Sequence, residues 1–240
     1  MNGVDRCLVN ERKIWGAMKV LSLSDQTVQF IYSPQVRHRF PDVDLIFGCG
    51  DLDYYYLEYV LNALNKPLFF VRGNHDKVVE FNTAGQRTAP AGGIDLHRRV
   101  IEYQGLLLAG VEGSLKYRPG VFQYTQGEML QHVLALVPGL LLNRLKHGRF
   151  LDVFLTHAPP AGVHDRQDFP HRGIKAFTWL LRVFHPAYLF HGHIHIYRPD
   201  TEIETQFGHT RVINTYSYRE TKLEFGLQHL RPQVEKEPGI

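Results

Sequence analysis

Short apolar runs rich in β-branched residues recur along the chain, and longer stretches between them space their apolar positions three and four apart. MKVLSLSD, from Met18, reads as a buried strand whose apolar run stops at Ser24 and Asp25. DVDLIFGCGD reads as a second strand, entered from a turn at Pro41, and PLFFVRGNHD as a third, started by Pro67. Between them LDYYYLEYVLNAL has helical spacing. RVIEYQGLLLAGVEG reads as a hairpin turning at Gln104-Gly105. GEMLQHVLALVPGLLLNRLKHGR is helical with a break near Pro138-Gly139, because proline lacks the amide hydrogen that a helix interior needs. FLDVFLTHAPP is a strand ending in His157, IKAFTWLLRVF a helix, and PAYLFHGHIH a further strand. The tail TRVINTYSYRETKLEFGLQHL alternates as antiparallel strands do. VVEFNTAGQRTAPAGGIDLH, SLKYRPGVFQY and AGVHDRQDFPHRG carry no period and read as loops. This βαβ-like alternation predicts an α/β fold, a sheet covered by helices.

Composition narrows the picture. A chain of 240 residues with 44% apolar content suits one sizeable domain and excludes global disorder. The first strand begins at Met18, so residues 1–17 are expected to be an appendage to a single domain spanning 18–240. A net charge of +3 is only mildly basic, with no clustered basic stripe of the kind nucleic acid selects. Two cysteines, Cys7 and Cys49, make no disulfide framework and fit a reducing, cytoplasmic setting. No apolar run approaches the roughly 18 residues that span a bilayer. Histidine is abundant, with 14 residues, and position decides what that means.

Strand after strand ends in a residue able to bind a metal: Asp25, Asp51, Asn74 beside His75, His157, then His193 and His195. Loops at the ends of adjacent strands are where α/β proteins assemble sites. A mixed set of carboxylate, amide and imidazole donors suits Mn, Fe or Zn better than Ca or Mg. In an extended chain His193 and His195 face one side.

The order of these motifs is specific. Asp25, GD at Gly50-Asp51, GNHD at Gly73–Asp76, TH at Thr156-His157 and GHIH at Gly192–His195 resemble the calcineurin-like metallophosphoesterase superfamily. THAPP and HRGIKAF followed by HGHIH also look like its small prokaryotic phosphoesterase branch. The resemblance spans residues 25–195 and implies a four-layer α/β/β/α sandwich with two mixed β-sheets. It implies a metal-dependent phosphoesterase that hydrolyses a phosphate monoester or diester with a metal-activated hydroxide at a dinuclear site holding two divalent transition metal ions (Mn, Fe or Zn). On that resemblance Asp51 bridges, Asp25 and His195 hold the first metal, and Asn74, His157 and His193 hold the second. His75 then acts at the leaving group, and Asp76 either orients its ring or caps a following helix.

The chain departs from the family at one point. Many members read Asp-x-His at the first motif, whereas here Thr27 stands in the histidine's place, which is expected to weaken the first site. Gln26 would face away in an extended chain, and His38 is a distant substitute. The loop holding His164, Asp165, Arg166, Asp168, His171 and Arg172 is either a solvated loop or a rim. In the second case His164, Arg166, His171 and Arg172 meet the substrate's phosphate or leaving group. Lys116, Tyr117 and Arg118 invite the same reading. Asp53 is placed to cap the helix that carries Tyr54, Tyr55 and Tyr56, of which one is expected in the core and one on the rim. His191 is expected to pack beneath the site, and His97, His132, His147, His185 and His229 to be structural. The expected partner is a phosphorylated small molecule, with no membrane and with nucleic acid disfavoured. Two other readings remain: a non-catalytic metal-binding scaffold on the same fold, and a nuclease.

Overall fold

The computed structural model describes residues 18–82, 85–198 and 200–225. Cys7, His229 and residues 1–17, the expected appendage, lie outside them. The chain runs β1 (Met18–Ser24), α1 (Val36–Arg39), β2 (Leu45–Gly48), α2 (Tyr54–Leu64) and β3 (Leu68–Phe70). The short strands β4 (Glu80–Asn82), β5 (Gly85–Arg87) and β6 (Gly93–Asp95) follow. Next come β7 (Val100–Tyr103), β8 (Leu106–Val111), β9 (Ser114–Leu115), β10 (Gln123–Tyr124), α3 (Gln126–Leu134) and α4 (Val137–His147). The chain continues through β11 (Val153–Thr156), a 3-10 turn at Phe169–His171, α5 (Lys175–Phe184) and β12 (Tyr188–His191). It then forms β13 (Glu204–Phe207), β14 (Thr210–Asn214) and β15 (Ser217–Leu223).

Two mixed sheets stand face to face, one ordered β15-β1-β2-β3-β6 and the other β13-β14-β12-β11-β8-β7. The apolar runs explain the layering. Both faces of each central strand are buried, so side chains alternate between two cores. Val20, Phe47 and Phe69 of one sheet meet Leu108, Val153, Leu155, Phe190 and Ile213 of the other in the middle layer. Their neighbours Leu21, Ile46, Leu68 and Phe70 face outward under α1 and α2. Ala109, Phe154, Leu189 and Val212 face outward under α3, α4 and α5. The result is the expected four-layer α/β/β/α sandwich. Among the described residues no helix is long and apolar enough to cross a membrane.

Five local expectations change, one of them in SLKYRPGVFQY, read as a loop but carrying β9 and β10 at its ends as a parallel pair. The stretch read as a loop after Asp76 contains β4 and β5 as a hairpin and β6 as the parallel edge partner of β3. Each strand is three residues long, too short to show a period. The helical break falls at Ala135-Leu136, before Pro138, which sits in the first turn of α4 where its missing amide hydrogen costs nothing. β14 and β15 do not pair with each other. β14 lies between β12 and β13, and the chain crosses to the first sheet so that β15 pairs antiparallel with β1. Asp53 makes no capping bond. Glu80 accepts from Tyr54 N at 2.8 Å instead, while Asp53 pairs with Lys77 at 2.9 Å. The hairpin at Gln104-Gly105 forms as read, with φ of 49° and 85° matching the left-handed turn that joins twisted strands.

Candidate metal centre

The carboxyl ends of β1, β2 and β3 in one sheet face those of β11 and β12 in the other, and each delivers its strand-end residues to one place. Asp25, Asp51 and His157 each offer a ligand atom, all within 4.8 Å of one another. The backbone bends sharply to bring them there. Asp25 has φ 64° and is closed by Gln26 N to Ser24 O at 2.7 Å. His193 has φ 65° and is closed the same way by Ile194 N to Gly192 O at 2.7 Å. Such three-residue turns at positive φ are rare and strained, at about 1–3 kcal/mol each. The two turns hold each other, since His193 N lies 3.1 and 3.0 Å from the two Asp25 carboxylate oxygens. Asp51 also sits at φ 56°. The extended geometry expected for GHIH is therefore absent, and the histidines are placed by a turn.

Two glycines make this convergence possible. A Cβ at Gly73 would overlap the Asp51 carboxylate, and one at Gly192 would overlap Ser24 Oγ and the Asp25 carboxylate. These motifs require glycine because carboxylates pass through the space a side chain would fill.

His157 is fully buried and its tautomer is fixed. Nδ1 donates to the Cys49 carbonyl at 2.8 Å, which leaves Nε2 facing Asn74 Oδ1 at 3.0 Å and Asp51 Oδ2 at 3.4 Å. Burial pulls its pKa down, but the charge and hydrogen bond of Asp51, with Asp25 behind it, outweigh burial and hold it up at about 9. Asp51 mirrors this. Burial would raise it, yet His157 and the His75 backbone amide, 2.7 Å from Oδ1, keep it at about 2. Without an ion, a proton on His157 thus supplies the positive charge that two neighbouring carboxylates demand. The oxygen and nitrogen donors of Asp25, Asp51 and His157 fit a divalent transition metal. Burial, then His157, lowers His193 to about 4, the neutral form a ligand needs. Its Nε2 bonds the Pro170 carbonyl at 2.9 Å, so Nδ1 is the nitrogen not committed to that loop. His195 lies 3.5 Å from Asp25 Oδ1, and its bond to that carboxylate raises its pKa.

Asp76 does not behave as expected. No helix follows it, and both carboxylate oxygens accept backbone amides, Leu52 N at 2.9 Å and Gly73 N at 2.7 Å. It ties the Asp51 loop to the Asn74 loop. Burial, reinforced by Asp51, pushes it up to about 7. The His75 ring meets Tyr117 and Arg118 instead, at 3.3 and 3.1 Å. The loop 164–172 lies against the centre, though not as a free rim. Arg166 donates to the His195 carbonyl at 2.8 Å, and the His171 ring lies 5.4 Å from His193 while its Nδ1 meets Asp168. Arg172 bonds Gln167 O and lies over Phe169. His164 is tied to His191 at 2.8 Å and Thr205 at 2.9 Å, so it is a strut of the second sheet. His191 is buried beneath the site as read. His38 is exposed on α1, and Tyr54 and Tyr56 are buried while Tyr55 is exposed. Sequence reasoning missed Tyr197, whose hydroxyl lies 2.9 Å from His195 Nδ1, and Tyr216, whose ring lies 4.8 Å from His195. Thr27 lines a cavity of about 210 Å³ with Asp25, Asp51, Asp53, His75, Asp76, Lys77 and Glu80. Five carboxylates against one lysine make it acidic.

Comparison with known proteins agrees with this geometry. The chain is 13% identical to the protein TT1561 of Thermus thermophilus, with a TM-score of 0.58, covering 86% of this chain and 99% of that one. It is 14% identical to an archaeal phosphodiesterase, with a TM-score of 0.39, covering 86% and 100% of the two chains. At 13% identity the likeness to TT1561 shows the fold alone. No match is found among curated proteins. The profile of the calcineurin-like phosphoesterase family matches residues 18–197, the span that carries every strand-end residue described above, and the chain belongs to that family.

Proposed function

We propose that this protein is a hydrolase of phosphate monoesters or diesters that works with two divalent transition metal ions, Mn, Fe or Zn, on either side of Asp51. The observation that carries the reading is the convergence of Asp25, Asp51 and His157 within 4.8 Å, delivered from both sheets. Ions bound there supply Lewis-acid polarisation of phosphoryl oxygens and acidify water. Asp51 suits the shared position because its two oxygens already face different partners, His75 N and His157 Nε2. Asp25 and His195 would hold one ion, and Asn74, His157 and His193 the other. His75 is the exposed imidazole beside this set, with no side-chain bond to the carboxylates, and it would act on the leaving group. Asp76 keeps the loops of Asp51 and Asn74 in register. The expected substrate is a phosphorylated small molecule, and the expected setting is the cytoplasm, in keeping with Cys49 as a free buried thiol. THAPP supports the small prokaryotic branch of the family.

The test is metal content and turnover together. After loading with Mn²⁺ and desalting, the chain should retain two ions and hydrolyse an aryl phosphate monoester or diester. His75→Ala should lower turnover about 10²-fold with metal content unchanged, because the bond to Asp51 comes from the backbone of residue 75 and survives the substitution. A chain that retains Mn²⁺ but turns over nothing would favour the scaffold reading. A chain that retains none would remove the metal chemistry altogether.

A further inference from the structure

The segment between β9 and β10 places two side chains on His75 that no strand-end motif contains. Tyr117 Oη lies 3.2 Å from Asn74 Nδ2 and 3.3 Å from His75 Nε2. Arg118 Nη2 lies 3.1 Å from His75 Nδ1, and its guanidinium packs over the Tyr117 ring at 5.3 Å. The donor inventory fixes the directions. A guanidinium only donates, so His75 Nδ1 accepts, and in the neutral ring Nε2–H donates to Tyr117 Oη. The Asn74 amide donates to the same oxygen. Tyr117 therefore holds the Asn74 nitrogen away from the centre and its carbonyl oxygen toward His157. The Tyr117 hydroxyl hydrogen is left for another acceptor.

Arg118 is exposed, and among the described residues no carboxylate lies within ion-pair distance of it. An arginine resting on a tyrosine face is ordinary surface packing. The backbone beneath this pair is not ordinary. The buried Gln123 side chain accepts from Tyr117 N at 3.3 Å and Arg118 N at 3.4 Å, and Lys116 N bonds Tyr124 O at 2.9 Å. The segment is pinned to β10, so the pair is presented to the centre in a fixed pose. Electrostatics select the same side. The Tyr117 side of His75 carries the Arg118 guanidinium, a cation with no carboxylate partner among the described residues.

We infer that Tyr117 and Arg118 form the anion seat of the centre. The guanidinium and the tyrosine hydroxyl bind non-bridging oxygens of a phosphate group, and Tyr117 also positions Asn74 as a ligand. This rests on the phosphoesterase reading.

The test uses the full chain loaded with Mn²⁺ and titrates inorganic phosphate by calorimetry, with metal content measured alongside. Arg118→Ala should weaken phosphate binding about tenfold or more with Mn²⁺ content unchanged, the scale of one charge-assisted hydrogen bond pair. Arg118→Lys should recover part of that loss, since it keeps the charge without the fork. Tyr117→Phe should weaken phosphate and also lower Mn²⁺ affinity, because the Asn74 amide loses the acceptor that orients it. Arg118 is exposed, so its substitution leaves the fold intact, and an unchanged thermal midpoint verifies this. Unaltered phosphate affinity in Arg118→Ala overturns the inference while leaving the phosphoesterase reading standing. So does a wild-type chain that holds Mn²⁺ yet binds no phosphate at millimolar concentration. A chain that holds no Mn²⁺ overturns both.

Discussion

The two halves of the proposed centre are built differently. On the Asn74 side the donors are buried and braced. His157 is 0% exposed and locked through Nδ1 to a main-chain carbonyl, His193 is 6% exposed and held by Pro170, and Asn74 is held by Tyr117. On the Asp25 side the carboxylate is sheltered, but His195 is 41% exposed, and Thr27 opens onto an acidic cavity. One half has its donors buried, whereas the other leaves its histidine partly open to solvent beside the cavity. An ion bound on the first half would meet ligands already in place, whereas one on the second would have to recruit solvent. Affinity should therefore be unequal, and the inequality comes from the shell behind the ligands as much as from their number.

The most severe way to break this contrast is to remove what the halves share. Asp51→Asn keeps the shape of the side chain, but one carboxylate oxygen becomes an amide that cannot bind an ion. Both halves should lose Mn²⁺, to a content near zero by elemental analysis after desalting, and turnover should fall with it. Retention of one ion at full occupancy would show that Asp51 belongs to one half only. The chain should stay folded, since the residue faces the site and its main chain is tied separately by Asp76 through Leu52 N.

A gentler probe uses the proton that stands in for the ion on the braced half. His157 keeps its proton up to about 9 because Asp51 and Asp25 overcome the cost of burial. A metal must displace that proton. Below about 9 each unit of falling pH should therefore cost about tenfold in apparent affinity, for one proton released. Mn²⁺ titrations between pH 6.5 and 8.5 should therefore span roughly 10²-fold, with close to one proton released per ion taken up on this half. His195, whose bond to Asp25 also raises its pKa, should give up a proton as well, so the open half should weaken with falling pH in the same direction. A flat profile would mean that no proton is displaced from His157.

What the sequence disclosed of this centre divides along similar lines. Asp25, Asp51, Asn74, His157 and His193 were legible because each follows a buried apolar run, and strand register alone brings such ends together. The four layers were legible because alternate residues of the same runs face different cores. The turns at Asp25 and His193 were not legible. Neither residue type demands positive φ, and only the partner hydrogen bonds across the sheets hold that conformation. Asp76 misled because one of its two backbone donors comes from a loop 24 residues away, a closeness no local pattern encodes. Tyr117 and Arg118 stood in an aperiodic stretch, and their place beside His75 depends on Gln123 holding their main chain. Tyr197, two residues after His195, was within reach of a period-two argument, yet a lone exposed tyrosine carries no signal of its own.

The mildest prediction bears on the departure from the family pattern. Thr27 is half-buried and lines the cavity that also holds Asp25 and Asp51, so the turn at Asp25 aims residue 27 at the open half, whereas Gln26 is exposed. A histidine there has room to enter, since the space beside it measures about 210 Å³. Thr27→His should therefore add a nitrogen donor to the open half and tighten its Mn²⁺ binding about tenfold, the lower end of what a single added or supported ligand contributes. The braced half should be unchanged, so two-site titration should show the affinities drawing together. Thr27→Phe fills the same space without a donor and separates coordination from packing. If both variants tighten the open half alike, water exclusion and not ligand number limits it. If neither does, the contrast between the halves resides in the exposure of His195 and the bracing of His157, and Thr27 is a tolerated residue at a position that no longer needs a ligand.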